Sequence, residues 1–351
     1  IGAGHEVHIF GLKLWDGPSD LLRDGIMIHG VGRKFSFHTG QSGRRAIFPA
    51  FWFSIGLWYS LLRKGKFDLI DCQNFPYFPC FSVKFVSFLR KTPLLITWHE
   101  VWGTYWRDYM GFIGECGIAV ERLIISLTNH HAAVSSTTKA QLQNLGVKGP
   151  ITIIPNGVDL EKIHKVLPSP EQPDVIFIGR LIQDKHVDVL IGALGLLRSS
   201  FPDMRCFIVG QGPEEKNLKK EAASYGLQQN IRFIGFVKDH EDIIRLMKSS
   251  RLCVLPSTRE GFGMVALEAL ACGVPVLTAR HPENAICDLV GIGGLQIVPL
   301  TIQDFADAIR EQLQSTSMRS SFHLADSWDW NAVTRKWLEM AVRLTKHQSK
   351  S

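Results

Sequence analysis

Residues 257–277 read STREGFGMVALEALACGVPVL, and they follow the apolar run LCVLPS (252–257), which has the composition of a buried strand. Within the stretch, MVALEALA (264–271) has the length and the small apolar side chains of a short helix, with Gly273 at its end and Pro275 beyond it. The strand therefore leads into a helix through the turn TREGFG. This strand–turn–helix unit predicts a doubly wound α/β domain.

Two carboxylates flank the predicted start of this helix. Glu260 lies just before it, and Glu268 lies more than one turn inside it. The first N–H groups of a helix have no partner within the helix and lie at the positive end of its dipole, and glycine lets a ligand approach the backbone closely. We therefore expect an anion or a sugar hydroxyl to bind the backbone of Gly261, Phe262, Gly263, Met264 and Val265.

A carboxylate accepts hydrogen bonds from two hydroxyls at once, which suits a vicinal diol. Glu260 and Glu268 together predict a site that holds the sugar and the ribose of one nucleotide-sugar. The ordinary alternative is a solvated loop glutamate and a glutamate on the helix surface. The apolar segment around Glu268 disfavours that alternative.

Short strand-like runs alternate with helical segments along almost the whole chain, which is typical of parallel sheets covered by helices. The runs lie at 6–10, 69–71, 94–99, 131–135, 174–179, 205–210, 231–235, 252–257 and 275–279. The break between two such series falls in IIPNGVDLEKI (153–163), which contains a Pro-Asn-Gly turn. We predict two Rossmann-like domains, residues 1–156 and 157–329, and an amphipathic C-terminal helix at about 330–347 that packs back on the first domain.

The chain opens with IGAGHEVHIF, which is typical of a helix end, a glycine cap and then a strand. A doubly wound domain has a strand and most of a helix before that point. We therefore expect the N-terminal strand and its glycine-rich loop to be missing from this sequence. GAGHEV (2–7) imitates a dinucleotide-binding fingerprint, but no helical segment follows it.

The composition is that of a globular protein, with 351 residues of which 45% are hydrophobic and 21% charged. The net charge of +6 fits phosphates or an anionic membrane surface but requires neither. Dispersed Lys and Arg residues, without zinc-finger or basic-zipper spacing, disfavour nucleic acid as a partner. Seven scattered cysteines without a C-x-x-C pair indicate free thiols in a reducing compartment. We therefore expect a cytoplasmic protein, with peripheral binding to the cytoplasmic face of a membrane as an open alternative.

A second group of candidate ligands follows the predicted strand at 174–179. Gly179 ends the strand, and Arg180 and Lys185 lie in the next loop, ahead of a helix. Arg binds phosphate through two parallel hydrogen bonds, and Lys acts as a mobile point charge, so the pair predicts a diphosphate site. The alternative is two surface cations with Asp184 as a partner.

With these motifs the chain resembles the family-4 retaining glycosyltransferases (glycosyl transferases group 1), which have the GT-B fold. The resemblance is strong in residues 150–280 and looser in residues 1–150. It rests on the Glu-x7-Glu spacing of Glu260 and Glu268 and on further motifs. These are PNGVD (155–159), GRLIQDK (179–185), VGQGP (209–213), FIGFVKD (233–239) and the opening stretch. The resemblance implies two doubly wound domains facing a cleft, with the acceptor on the first and the nucleotide-sugar on the second.

The resemblance also implies roles for individual residues. The first glutamate, Glu260, contacts the donor sugar, and Glu268 contacts the ribose. Arg180 and Lys185 bind the diphosphate, and His99, at the end of the run LLITWHE (94–100), faces the donor sugar near the reacting carbon. The base lies beside Val237 and Asp239. Glu100 and the loop 101–111 shape the acceptor side.

Two features bear on the chemistry. His186 stands where the family usually has Gly, which would alter the loop after Lys185. No D-x-D motif and no zinc-like His/Cys spacing occur in the chain, and the cations with a helix N-terminus can replace a metal on the diphosphate. We therefore predict no essential metal and no cofactor.

We predict a metal-independent hexosyltransferase that moves mannose, glucose or N-acetylglucosamine from a nucleoside diphosphate sugar to a glycan or lipid-linked acceptor, with retention. The alternatives are a nucleotide-sugar epimerase or a phosphorylase of the same fold, or a non-catalytic nucleotide-sugar-binding protein. UDP and GDP donors both stay open, although Asp239 could pair with guanine.

The segments AIFPAFWFSIGLWYSLLRKGK (46–66) and FSVKFVSFLRK (81–91) are aromatic-rich and end in basic residues. Such a segment can lie in a membrane interface, with its aromatic side chains inserted and its cations on headgroups. The alternative is that both are core helices of the first domain.

Overall fold

The computed structural model describes residues 1–32, 47–315 and 326–348. The chain divides into two compact units. Unit 1 comprises residues 1–133, 141–152 and 338–351, and unit 2 comprises residues 134–140 and 153–337. Residue 46, the first of the predicted aromatic segment, lies outside the described residues.

Unit 1 contains two sheets. The first is formed by β1 (His8–Leu12), β2 (Asp20–Arg23) and β3 (Ile26–Val31), in the order β1-β3-β2. The second is formed by β4 (Ile70–Gln73), β5 (Leu94–Trp98), β6 (His131–Ala133) and β7 (Ile151–Ile153), in chain order, and β4, β5 and β6 pair in parallel. The predicted strands near 6–10, 69–71, 94–99 and 131–135 are therefore confirmed, whereas β2, β3 and β7 were missed.

The helices of unit 1 are α1 (Ile47–Arg63), α2 (Phe78–Arg90), α3 (Tyr105–Met110) and α4 (Gly114–Ile125). Strand β5 is buried along its whole length, as expected for the interior of a parallel sheet. Helix α5 (Ser136–Leu145) begins in unit 2 and ends in unit 1.

Unit 2 contains one six-stranded sheet in which every strand pairs in parallel. Its strands are β8 (Val175–Ile178), β9 (Cys206–Val209), β10 (Ile231–Gly235), β11 (Leu252–Leu255), β12 (Val276–Ala279) and β13 (Leu295–Val298). Their order is β10-β9-β8-β11-β12-β13, so the strands of this unit run 3-2-1-4-5-6. This is the Rossmann order, and the doubly wound prediction is confirmed for this unit.

The helices of unit 2 are α6 (Leu160–Lys165), α7 (Val187–Leu197), α8 (Glu215–Ser224), α9 (His240–Ser249), α10 (Met264–Ala271) and α11 (Ile302–Gln314). The helix predicted at 264–271 is α10, and its bounds agree with the prediction. Strands and helices bury one continuous apolar core, in which Ile176, Phe177, Leu190 and Phe305 are fully inaccessible to solvent. Burial of this size is the main force that holds the sheet and helices together.

Helix α12 (Trp330–Gln348) follows, and its residues to 337 group with unit 2 and those from 338 with unit 1. Val333, Met340 and Ala341 are buried, whereas Trp330, at the start of the helix, is 46% exposed. All seven cysteines are free thiols, of which only Cys116 is exposed. The expectation of unpaired cysteines is therefore confirmed.

Candidate functional site

The candidate site lies where the strand order of unit 2 reverses. Strands β8 and β11 are neighbours in the sheet, and the chain leaves them in opposite directions to build the two halves of the unit. In open α/β sheets, ligands bind outside the carboxyl ends of strands at this point. Arg180 and Lys185 follow the end of β8, and Glu260 follows the end of β11. The fold therefore brings the two predicted constellations to one edge of the sheet.

Lys185 and Glu260 are in direct contact. Lys185 ends a short 3₁₀ helix (Gln183–Lys185), and its Nζ lies 2.5 Å from Glu260 Oε1 and 3.4 Å from the carbonyl oxygen of Arg259. Both side chains are about four-fifths buried, with 17% and 21% of their surface exposed. Removing either partner of such a pair leaves the other charge in a poorly solvated position.

Arg180 differs from Lys185 because it is exposed and forms no ion pair with any carboxylate of the described residues. It follows Gly179, whose carbonyl oxygen lies so close to Gly210 that a Cβ built there would be 1.8 Å away. Gly210 also has φ +135°. The first glycine of the VGQGP motif, Gly210, therefore packs on the loop after β8, while Arg180 in that loop faces solvent.

The N-terminus of α10 is shaped by Gly263. Its φ is +91°, a left-handed conformation, and a Cβ there would lie 2.4 Å from Ile286 Cγ1. Only glycine fits both conditions. Within the described residues, the amides of 261–265 donate to no backbone carbonyl. They are the unpaired donors that we predicted at this helix end.

The loop ahead of α10 is fixed by its neighbours. The carbonyl oxygen of Gly261 accepts hydrogen bonds from Ser135 Oγ at 2.8 Å and from Thr138 Oγ1 at 3.2 Å. Glu260 forms two backbone hydrogen bonds, donating to Glu283 and accepting from Ala285, each 3.0 Å long. These contacts fix the backbone of the loop, but they engage neither the Glu260 carboxylate nor the amides of 261–265.

The fully buried Asn284 holds the segment that pairs with Glu260. Its Nδ2 donates to Thr278 Oγ1 (3.0 Å) and to the carbonyl of Ala279 (2.8 Å), and its Oδ1 accepts from the Ile286 amide at 3.2 Å. Asn284 was missed in the sequence because an isolated Asn in a polar turn gives no signal of burial.

Glu268 is largely buried, with 13% of its side chain exposed, which confirms that it is not a surface glutamate. Its Oε1 lies 2.8 Å from His240 Nε2. Burial raises the pKa of the Glu268 carboxyl, and the hydrogen bond from His240 opposes that rise without cancelling it. His240, the first residue of α9, was missed because only the tertiary fold places it against a residue 28 positions away.

The two base-side candidates differ in their surroundings. Asp239 is the N-cap of α9, and its Oδ1 accepts a hydrogen bond from the Glu241 amide at 3.0 Å. One of its carboxylate oxygens therefore stabilises the helix start. Val237 is partly buried and packs against the core of unit 2.

His186 takes the place of the glycine expected after Lys185 and keeps the glycine-like conformation. Its φ is +45°, in the left-handed region. Its Nε2 lies 3.2 Å from Thr258 Oγ1, and its Nδ1 lies 3.9 Å from Asp188. The loop therefore retains the turn, and the added ring ties it to the segment after β11.

In unit 1, His99 follows the end of β5. Its Nε2 lies 2.6 Å from Gln73 Oε1, and its amide donates to Oδ1 of the buried Asn74 at 3.1 Å. Part of the residue is exposed to solvent, but the surrounding protein removes some of the water around the ring. This desolvation disfavours the charged form and lowers the pKa of the imidazole.

The loop after His99 is held by a buried carboxylate that the sequence analysis missed. Glu121 is fully buried and accepts hydrogen bonds from Tyr77 Oη (2.6 Å) and from the amides of Trp102 (2.9 Å) and Gly103 (2.7 Å). Glu100 accepts a hydrogen bond from the Trp102 indole at 3.1 Å. The loop predicted at 101–111 is therefore a fixed aromatic surface that includes α3.

The described residues contain no group of three or more His, Cys, Asp or Glu side chains that could hold a metal ion. The groups at this site that could bind an anion are the side chains of Arg180 and Lys185 and the amides at the start of α10.

Two family descriptions match this chain. "Glycosyltransferase Family 4" matches residues 1–162, and "Glycosyl transferases group 1" matches residues 159–325. Together they cover residues 1–325. The chain belongs to the family-4 glycosyltransferases. The GT-B fold is confirmed by solved structures, such as sucrose-phosphate synthase from Thermosynechococcus elongatus. That structure has a TM-score of 0.73 and 20% identity, covering 99% of this chain and 90% of the other.

A second solved GT-B structure is Anabaena HepE in complex with UDP and glucose, with a TM-score of 0.64 and 21% identity over 93% of this chain and 86% of the other. Among curated relatives, a Mycobacterium tuberculosis glycogen synthase is 28% identical over 225 residues, which is 61% of this chain and 54% of the relative.

Another M. tuberculosis relative, a GDP-mannose-dependent phosphatidylinositol dimannoside mannosyltransferase, is 32% identical over 173 residues, or 46% of this chain and 44% of the relative. The chain thus spans about half the length of these two curated relatives.

Proposed function

We propose that this glycosyltransferase moves a hexosyl group from a nucleoside diphosphate sugar to a hydroxyl of a glycan or lipid-linked acceptor, with retention of the anomeric configuration. The observation that carries the proposal is the meeting of Arg180, Lys185, Glu260 and the start of α10 at the switch point of a Rossmann sheet. Cations and unpaired amides suit a diphosphate, and carboxylates suit sugar hydroxyls.

We propose that the Lys185–Glu260 ion pair rearranges when the donor binds. A diphosphate oxygen would replace the Glu260 carboxylate as the partner of the ammonium group. Glu260 would then accept hydrogen bonds from the sugar hydroxyls. The exposed Arg180 needs no such rearrangement, because it has no carboxylate to release.

In the reaction itself, an acceptor oxygen would attack the anomeric carbon from the face that the diphosphate leaves. The bond from the anomeric carbon to the diphosphate oxygen breaks, and that oxygen takes the acceptor proton. Arg180, Lys185 and the amides of α10 would stabilise the charge that develops on the leaving group. Glu260 orients the sugar and is not a nucleophile. The role of His99 toward the reacting sugar stays a prediction.

We propose that the cations and amides suffice for the diphosphate, so that transfer needs no metal. Mannose, glucose and N-acetylglucosamine donors on UDP or GDP are the candidates. The relatives include a GDP-mannose-dependent enzyme and a glycogen synthase, and HepE was solved with UDP, so they favour no single base.

The test is an assay of the full chain with UDP- and GDP-sugars and glycan or lipid-linked acceptors, in EDTA. We expect release of the nucleoside diphosphate only with one donor class, and NMR of the product should show the donor's anomeric configuration. Lys185→Ala should lose activity, whereas Lys220→Ala, an exposed lysine on α8, should keep it. Nucleotide binding without turnover would instead support the non-catalytic alternative, and an inverted product would refute retention.

A further inference from the structure

An unusually apolar surface covers one side of α1. Phe51, Trp52, Ile55, Trp58 and Tyr59 are each between 41% and 60% exposed. Their spacing of four and three residues places them on one stripe of the helix, while the opposite stripe is buried in unit 1. Helix α1 therefore has one face in the core of unit 1 and one face in solvent.

Helix α2 extends this surface. Phe85, Phe88 and Leu89 are exposed by 47%, 73% and 51%, with the spacing of a second helical stripe. The rings of Trp58 and Phe85 meet edge to face, with their centroids 5.7 Å apart. The two stripes therefore form one continuous surface, which we call the α1–α2 face. Isolated exposed apolar residues need no explanation, but a continuous patch of this kind marks an interaction site.

The charged residues within the two segments that form the α1–α2 face all have one sign. Neither 47–66 nor 78–91 contains an Asp or Glu, and both contain lysines and arginines. Lys64 pairs with Asp20, and Arg90 donates to the carbonyl of Leu62. Lys66 and Lys84 form no ion pair with any described carboxylate.

We propose that the α1–α2 face binds the surface of an anionic lipid bilayer. Aromatic side chains on an apolar face, rimmed by lysines and without acidic residues, match the acyl boundary and the negative headgroups of such a surface. None of the helices that the structure describes is long and apolar enough to cross a membrane, so the contact is peripheral. A second protein with a neutral apolar face would leave the cations unmatched.

The test is co-sedimentation of the full chain with vesicles of phosphatidylcholine alone or with added phosphatidylglycerol. We expect binding to the anionic vesicles that weakens with salt. Lys66→Gln with Lys84→Gln should weaken it about 30-fold, since each lysine near an anionic surface contributes about 1 kcal/mol. The control, Lys216→Gln with Lys220→Gln on α8, should leave binding unchanged. If the test and control variants lost equal affinity, or if the chain bound neutral and anionic vesicles equally, the proposed contribution of Lys66 and Lys84 to membrane binding would be overturned.

The aromatic part has its own variants. Trp52→Ser with Phe88→Ser should lower vesicle binding by about tenfold or more, because binding scales with inserted apolar area. Leu167→Ser, at a residue that is 71% exposed in unit 2, is the control and should bind normally. If the aromatic variant bound as well as the control, the proposal would fail.

A conservative variant locates the contact without risking the fold. Trp52→Phe with Trp58→Phe should still bind anionic vesicles, but quenching of tryptophan fluorescence by brominated acyl chains should be largely lost. Unchanged quenching would place the bilayer on another surface. If the protein bound no vesicles but formed a dimer in solution, and if Trp52→Ser dissociated that dimer, the face would be assigned to a second copy of the chain. These measurements use no donor, so their failure is distinguishable from failure of the transferase proposal.

Discussion

Gly263→Ala tests the account of the α10 N-terminus most sharply. The added Cβ would hold a left-handed conformation, at φ +91°, and would lie 2.4 Å from Cγ1 of the fully buried Ile286. The conformation costs about 1–2 kcal/mol, and an extra carbon forced into a packed core costs about 1–3 kcal/mol. The two terms sum to about 2–5 kcal/mol, which lowers the melting temperature of a unit of this size by about 10 °C.

Gly273→Ala is the matched control at the other end of the same helix. Gly273 also has a positive φ, of +70°, but a Cβ there meets nothing within 4 Å. It should cost only the conformational term, about 1–2 kcal/mol or about 5 °C. Melting is followed by differential scanning fluorimetry, and donor affinity by calorimetry. Gly263→Ala should also weaken donor binding, since the amides of α10 move. Equal melting temperatures for the two variants would refute the steric argument.

Four further predictions follow from single contacts. Glu268→Gln should raise the melting temperature at pH 8, because a carboxyl whose pKa is raised on folding destabilises the protein once ionised; the gain should vanish below about pH 4.5 in a pH series. Arg180→Ala should weaken nucleoside diphosphate binding by about tenfold to 100-fold in calorimetry, since charge-assisted bonds are worth about 1.5–3 kcal/mol, whereas Arg198→Ala should not. Asp239→Ala should cost about 1 kcal/mol of stability in thermal unfolding and Asp239→Ser far less, because Ser also caps a helix; equal losses would contradict the cap. Glu121→Leu should destabilise the protein by about 3 kcal/mol or more, as it strips three donors of their shared acceptor, and normal melting would refute this role.

Most of unit 2 could be predicted from the sequence because its four inner strands are buried along their whole length and have the composition of short apolar runs between turn residues. The strand–turn–helix unit around Glu260 was predicted within two residues at every boundary. Strand β13 was missed because Gln296 interrupts its apolar run and its residues are only partly buried.

Unit 1 was less predictable because its first sheet is small and mixed. Strands β2 and β3 are antiparallel and joined by Asp24 and Gly25, both with positive φ. That dipeptide is a known hairpin signal, which the sequence analysis did not use. Strand β7 has only three residues, too few for a periodic pattern.

In the candidate site, the alternation of strands and helices in the sequence predicted the residues that follow strand ends. It did not predict the residues that hold those side chains and loops through hydrogen bonds. His240, Asn284 and Glu121 reach their partners only through the tertiary fold. No local spacing relates His240 to Glu268, or Glu121 to the Trp102 amide. Supporting residues of this kind become visible only once the sheet order is known.

The central claim is that unit 2 binds a nucleoside diphosphate at the end of β8 and β11. The most direct measurement is calorimetric titration of the chain with UDP, GDP and ADP in EDTA, beside Lys185→Ala, Glu268→Ala and the control Lys220→Ala. We expect that one nucleotide binds without metal, that Lys185→Ala and Glu268→Ala lose most of the affinity, and that the control keeps it. Folded protein that binds none of the three, or binds equally in all four forms, would contradict it.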